Sequence, residues 1–136
     1  MNVHHVGIAV RDIHAAKKKY ELLGYRMEQD MIWDEKRNIR IVFMENGGNR
    51  IELIEAADPE QSCAVTGFLA GTKKNVMYHI CFETQDIGCE IERLLNARGG
   101  VLLEKPDTAP ACGNRRVAFL YFAETGIVEL LECGEK

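Results

Sequence analysis

The stretch NVHHVGIAVRDI (residues 2–13) has a partner in MYHICFETQDI (residues 77–87). Each places a histidine in an apolar run and closes with Asp-Ile ahead of residues at helical spacing. His5 matches His79, Asp12 matches Asp86 and Ile13 matches Ile87, all about 74 residues apart. RIELIE (50–55) is echoed in the same way by IVELLE (127–132). The chain therefore reads as an internal duplication.

Working outward, VHHVGIAV (3–10) predicts a strand, Asp12 a helix cap, and Ile13, Ala16, Tyr20 and Leu23 one helical face that Gly24 stops. YRMEQDMIW (25–33) predicts a second strand, DEKRN a turn, and IRIVFME (39–45) and RIELIEA (50–56) a hairpin through NGGN (46–49), whose central glycines tolerate positive φ. A connector at 57–75 carries a short helix around SCAVTGFLAG. The second unit repeats the order: VMYHICFET (76–84), a helix with Ile87, Ile91, Leu94 and Leu95 on one face, a short strand VLLE, a loop containing Pro106, Pro110 and Gly113, then RRVAFLYF (115–122) and IVELLEC (127–133). This order predicts an α+β class and one domain of two strand–helix–three-strand units, about 1–56 and 76–136.

The 136 residues suffice for one domain with a real core, and 46% hydrophobic and 28% charged residues are ordinary globular values. A net charge of −4 argues against nucleic acid or an anionic membrane as the partner. No apolar run approaches the roughly 20 residues of a membrane span. The N-terminus lacks a basic-then-apolar signal pattern, so a cytoplasmic location is expected. Cys63, Cys81, Cys89, Cys112 and Cys133 form no CxxC and read as reduced thiols.

Strand alternation singles out four polar residues. His5 shares a face with Gly7 and Ala9, opposite Val6, Ile8 and Val10, which can pack under the helix. His79 shares a face with Cys81 and Glu83. Glu52 and Glu129 sit between aliphatic neighbours on the last strand of each unit. A carboxylate in such a strand is costly to bury alone, whereas two carboxylates beside two imidazoles suit a divalent cation. Taken singly, each residue also has an ordinary reading as a hydrogen-bonded core histidine or a solvent-facing glutamate. The pattern by itself leaves both readings open.

From HHVGIAVRDI to IVELLE the layout resembles the vicinal oxygen chelate (glyoxalase/bleomycin resistance) superfamily, which includes glyoxalase I, methylmalonyl-CoA epimerase and extradiol dioxygenases. The resemblance implies an incomplete barrel around one divalent metal ion (Ni, Co, Zn or Mn), with His5, Glu52, His79 and Glu129 as ligands. It implies His5 rather than His4, because the ligand directly precedes the Val-Gly pair. FLAGTKKNVMYHICFET, the GNRRVAFL segment and the final TGIVELLE resemble methylmalonyl-CoA epimerase, whereas a two-His, two-Glu ligand set resembles glyoxalase I. Epimerases often carry Gln at the Glu52 position and a catalytic carboxylate on the third strand, where Arg40 stands near the expected place and Glu45 lies at the end.

The implied activity is that of a metal-dependent lyase or isomerase acting on a small thioester or thiol adduct such as a hemithioacetal. It would remove a proton next to a carbonyl and hold the enediolate at the metal. Glu129 is expected as base, with Glu52 as the facing partner. A binding or resistance protein without metal is the second reading, and an extradiol-type dioxygenase, against which the fourth ligand Glu52 argues, is the third. A homodimer is expected from the resemblance. Lys17, Lys18 and Lys19 read as a solvated helix face. Lys73, Lys74, Arg115 and Arg116 are candidates for meeting a substrate anion or for plain surface charge.

Overall fold

Residues 1–134 are described by the structure, a computed structural model. The chain forms two compact units: His5–Tyr78 in one, and Met1–His4 with the chain from His79 onward in the other. The expected connector thus packs with the first unit.

β1 (Asn2–Ala9), which belongs to the first unit from His5 on, leads into α1 (Ile13–Leu22), followed by β2 (Arg26–Met27), β3 (Ile32–Asp34), β4 (Ile39–Asn46), β5 (Asn49–Ala56) and the short helix α2 (Ala64–Leu69). The strand path is β2–β4–β5–β1, with β3 also on β4; β1 and β5 are parallel and the other pairs antiparallel. The Asp12 carboxylate caps α1 by accepting from the Ala15 N–H at 3.0 Å, a cap worth about 1 kcal/mol. Ile8 of β1 and Val10 just after it, Val42 and Met44 of β4, and Ile51 and Leu53 of β5 bury one sheet face under Ile13 and Ala16 of α1. Each such side chain contributes ~1.5–3 kcal/mol on burial. The remaining alternate positions, His5, Ile41, Phe43, Glu52 and Ile54, belong to the opposite face.

In the second unit, β6 (Val76–Thr84) leads into α3 (Ile87–Asn96), then β7 (Val101–Ala109), a 3-10 turn (Pro110–Cys112), β8 (Arg115–Phe122) and β9 (Gly126–Glu132). The path is β6–β9–β8–β7, with β6 and β9 parallel. Asp86 caps α3 through the Cys89 N–H at 2.9 Å. Ile87 and Ile91 of α3 bury Ala118, Leu120 and Leu130. The α+β class and the strand–helix–strand repeat are as expected, and neither strand path closes on itself.

Two elements differ from expectation. The strand predicted over 25–33 is two short pieces, β2 against the end of β4 and β3 against its start. The polar run Glu28-Gln29-Asp30 interrupts the apolar alternation between them. In the other unit the strand expected to stop at Glu104 continues to Ala109 through Pro106. Proline is tolerated there because β7 is the last strand of its path and its ladder to β8 shifts register between Leu102 and Asp107, which removes the need for an N–H at that position.

β4 and β8 each begin just after a left-handed asparagine, Asn38 (φ 56°) and Asn114 (φ 60°). A residue with Cβ pays ~1–2 kcal/mol in this region unless it is Asn or Gly. The Asn38 side chain also donates to the carbonyls of Asp58 (2.9 Å) and Gln61 (3.2 Å) and accepts from the Asp58 N–H (2.9 Å). Asn114 to Gly should therefore leave stability nearly unchanged, because its backbone requirement is met. Asn38 to Gly should cost about 1–3 kcal/mol through the lost connector bonds. Urea unfolding of the two variants checks this, and equal effects would contradict it.

Candidate functional site

In the first unit His5 is buried on β1, and the parallel register sets Gly7 beside Glu52 on β5. His5 Nε2 lies 3.4 Å from Glu52 Oε1. In the second unit His79 is buried on β6, Cys81 stands beside Glu129 on β9, and His79 Nε2 lies 3.4 Å from Glu129 Oε2. Each expected histidine thus meets the expected glutamate of its own unit, through the same ring nitrogen and at the same distance. Both carboxylates are only 4% exposed.

The spacing bears on metal binding. A charge-assisted hydrogen bond between ring nitrogen and carboxylate is ~2.8 Å long. Two donors each ~2.1 Å from one tetrahedral ion stand ~3.4 Å apart. Imidazole and carboxylate donors, one of each per unit, suit a borderline divalent cation such as Zn, Ni, Co or Mn. The residues present therefore fit such an ion.

Neighbours not singled out by the sequence frame each imidazole. Phe43 packs edge-on against His5 with ring centroids 5.1 Å apart, and Phe119 does the same to His79 at 5.7 Å. Phe43 stands directly opposite Glu52 across the β4–β5 hairpin, and Phe119 opposite Glu129 across β8–β9. The rings are placed by cross-strand register, so each imidazole has an apolar neighbour beside its glutamate. Comparing IRIVFME with RRVAFLYF strand by strand would have revealed this pair.

Arg40 does not occupy a position on the Glu52 face. It alternates with Ile41 and Phe43, lies opposite Glu55, and pairs with that carboxylate at 3.2 Å. The other Glu55 oxygen accepts from the Ile13 N–H at the start of α1 (2.6 Å). Arg116 and Glu132 make the equivalent pair in the second unit, with two hydrogen bonds at 2.8 and 2.7 Å. Arg40 and Arg116 are thus structural clamps on the helix side of their strands. Glu45 is held at the hairpin by the Gly48 N–H and by Arg26, which together keep its carboxyl below the usual range. The remaining β4 positions on the Glu52 face, Ile39, Ile41 and Phe43, are apolar.

His4 is half-buried in the opposite phase of β1 from His5. Lys18, Lys19, Lys73 and Lys74 are exposed, and Lys17 pairs with Glu21 at 3.3 Å. Arg115 pairs with Glu83 at 3.3 Å. A cavity of about 570 Å³ opens beside Arg11, Arg40, Glu55, Val65 and Leu69. Its charged groups are already engaged: Arg40 by Glu55, and Arg11 by the carbonyls of Leu69 and Thr72.

The sequence matches the Glyoxalase/Bleomycin resistance protein/Dioxygenase superfamily over residues 4–119. The chain belongs to this superfamily. Among its curated relatives in the superfamily are the mitochondrial methylmalonyl-CoA epimerase of Bos taurus, 27% identical over 94% of this chain and 72% of that protein, and the ethylmalonyl-CoA/methylmalonyl-CoA epimerase of Cereibacter sphaeroides, 30% identical over 74% of this chain and 73% of that protein. The fold is that of methylmalonyl-CoA epimerase from Mycobacterium tuberculosis, with a TM-score of 0.80, 23% identity and 98% and 88% of the two chains covered. A further structure of the same fold, a substituted form of Streptomyces coelicolor methylmalonyl-CoA epimerase in complex with 2-nitronate-propionyl-CoA, aligns with a TM-score of 0.82 and 19% identity over 99% of each chain. No helix among the described residues is long and apolar enough to cross a membrane.

The clamps give a pH signature. The hydrogen bonds from Arg116, reinforced by its charge, hold the Glu132 carboxyl below the usual carboxylate range. A carboxyl depressed in the folded state adds stability above its unfolded pKa and loses it as pH falls through the folded value. Replacing Arg116 with Met should therefore lower stability at pH 7 and flatten the loss of stability on acidification below about pH 4. Urea titrations from pH 7 to 3 test this; parallel pH profiles would contradict it.

Proposed function

We propose that the protein is a divalent-metal-dependent isomerase of the methylmalonyl-CoA epimerase type, acting on a CoA thioester, with His5, Glu52, His79 and Glu129 as the metal ligands. The observation that carries this reading is the repeated pair: in each unit a buried imidazole nitrogen and a buried carboxylate oxygen stand at the separation of two ligands of one ion. The curated relatives that are epimerases support the reaction type.

A divalent ion held by these residues would polarise a carbonyl oxygen and so acidify the neighbouring C–H. The chain supplies the rest. Glu129 takes the proton from the carbon next to the thioester carbonyl, and the C–H bonding pair delocalises onto the carbonyl. Glu52, carrying a proton taken from solvent, then delivers it to the opposite face of that carbon, which inverts it, and Glu129 releases the proton it took to solvent. Phe43 and Phe119 hold the two imidazoles edge-on beside these carboxylates. Ile41 and Phe43 place no further carboxylate on the Glu52 face of β4, and Glu83 is engaged by Arg115, which favours Glu52 and Glu129 for this work. A second reading rests on Glu52: with a carboxylate in both units, return of the proton to the neighbouring carbon would be a glyoxalase-type isomerisation of a thiol adduct.

Two measurements test the proposal. Metal-loaded protein should melt on the order of 10 °C higher than metal-free protein at a metal concentration a thousand times Kd. His79→Ala should remove both that shift and stoichiometric binding. Identical melting of loaded and metal-free wild type would count against the site. Glu129→Gln should retain metal while deuterium exchange at the carbon next to the carbonyl of methylmalonyl-CoA falls by on the order of 10²-fold or more. Glu52→Gln should be milder for an epimerase and equally severe for a glyoxalase-type reaction. Full exchange by Glu129→Gln would remove this residue as the base.

A further inference from the structure

The two units repeat His, Glu and Phe on the faces away from their helices but differ further along those faces. Where the first has Ala9 on β1 and Ile39 on β4, the second has Glu83 on β6 and Arg115 on β8. Glu83 follows His79 and Cys81 on one face of β6, and Arg115 precedes Val117 and Phe119 on one face of β8. These faces are identified by the edge-on contact of Phe119 with His79 and by the Phe119–Glu129 pairing. The ion pair thus shares the surface that carries His79 and Glu129. It lies two strand residues beyond Glu129, because Cys81 stands beside Glu129 and Glu83 beside Leu131. Two residues of strand are ~7 Å.

Arg115 is held in place. Its Nη1 lies 3.3 Å from Glu83 Oε2, and its Nε donates to the Cys112 carbonyl at 3.1 Å. Its side chain is 28% exposed, while Arg116 beside it is 51% exposed and engaged by both oxygens of Glu132. The third guanidinium nitrogen of Arg115, Nη2, makes no hydrogen bond among the described residues. A half-buried guanidinium fixed through two nitrogens, with the third unengaged among the described residues, is built to take an anion, since the planar fork loses little freedom on binding. Glu83 keeps the site neutral until that anion arrives.

Resting on the epimerase reading, we infer that Arg115 is a specificity-determining residue that binds the free carboxylate of the substrate, with Glu83 as the internal counter-ion that positions it. The ligand class is a thioester bearing a carboxylate close to its carbonyl. Arg115 selects it against the same thioester without the carboxylate.

Calorimetric titration of the metal-loaded protein with methylmalonyl-CoA and with propionyl-CoA, which lacks only the carboxylate, tests this through affinity rather than rate. Wild type should prefer methylmalonyl-CoA by on the order of 10- to 100-fold. Arg115→Met should erase the preference and leave propionyl-CoA affinity unchanged, and Arg115→Lys should restore part of it. Glu83→Gln breaks the same ion pair yet should keep or raise the preference, because the competing carboxylate is gone. A purely structural ion pair would instead weaken both thioesters alike in both variants, and that outcome overturns the inference, as does a preserved preference in Arg115→Met. If Arg115→Met does not fold, Glu83→Gln decides: a lost preference overturns the inference and a raised one supports it. Equal wild-type affinity for both thioesters overturns the role of Arg115 while leaving the epimerase reading in place, whereas no binding of either overturns both.

Discussion

Two carboxylates buried on open strand faces are the constraint to which the rest of the molecule answers. Glu52 and Glu129 cost several kcal/mol each if left charged and alone in an apolar setting. Each is therefore set against an imidazole nitrogen at 3.4 Å, and each imidazole is braced by the edge of a phenylalanine. The parallel pairing of the first strand of each unit with its last brings histidine and glutamate together. The antiparallel hairpin brings the phenylalanine across. Helix and core occupy the other face of the same strands, so packing and chemistry are separated by the strand period of two.

Much of this was legible in the sequence because the duplication supplied an internal comparison. His5 and His79, Glu52 and Glu129, and the caps Asp12 and Asp86 stand out because a polar residue recurs where an isolated one would carry little weight. The apolar alternation of VHHVGIAV correctly put Val6, Ile8 and Val10 toward α1 and His5 away from it. What stayed hidden involves residues whose type is unremarkable. Phe43 and Phe119 look like core aromatics until the register places them on the histidines. Arg40 looked like a replacement for a catalytic acid, but its side of β4 is decided by alternation from Phe43, and it proves to be a clamp on Glu55.

The errors in strand limits have local causes. Glu28-Gln29-Asp30 breaks the pairing of the second strand, and no propensity argument weighs three polar residues within an otherwise apolar stretch strongly enough. Pro106 suggested a loop, since proline removes a ladder donor. An edge strand with shifted register has no use for that donor. In both cases the pairing partner, rather than the segment, decides the outcome, and the partner lies far along the chain.

The hairpins show how such a surface tolerates changes of length. β4 and β5 turn through two residues, Gly47 and Gly48, both with positive φ, while β8 and β9 turn through Ala123, Glu124 and Thr125 into Gly126 at φ 71°. The second copy therefore has one residue more, yet Phe119 still faces Glu129 as Phe43 faces Glu52. The insertion lies wholly in the bend, where a left-handed glycine absorbs it. The same single residue placed within β9 would have turned Glu129 toward the helix. In the strands that carry the histidines, glutamates and phenylalanines, residue type can thus vary but parity cannot, whereas β7, which carries none of them, shifts register along its length.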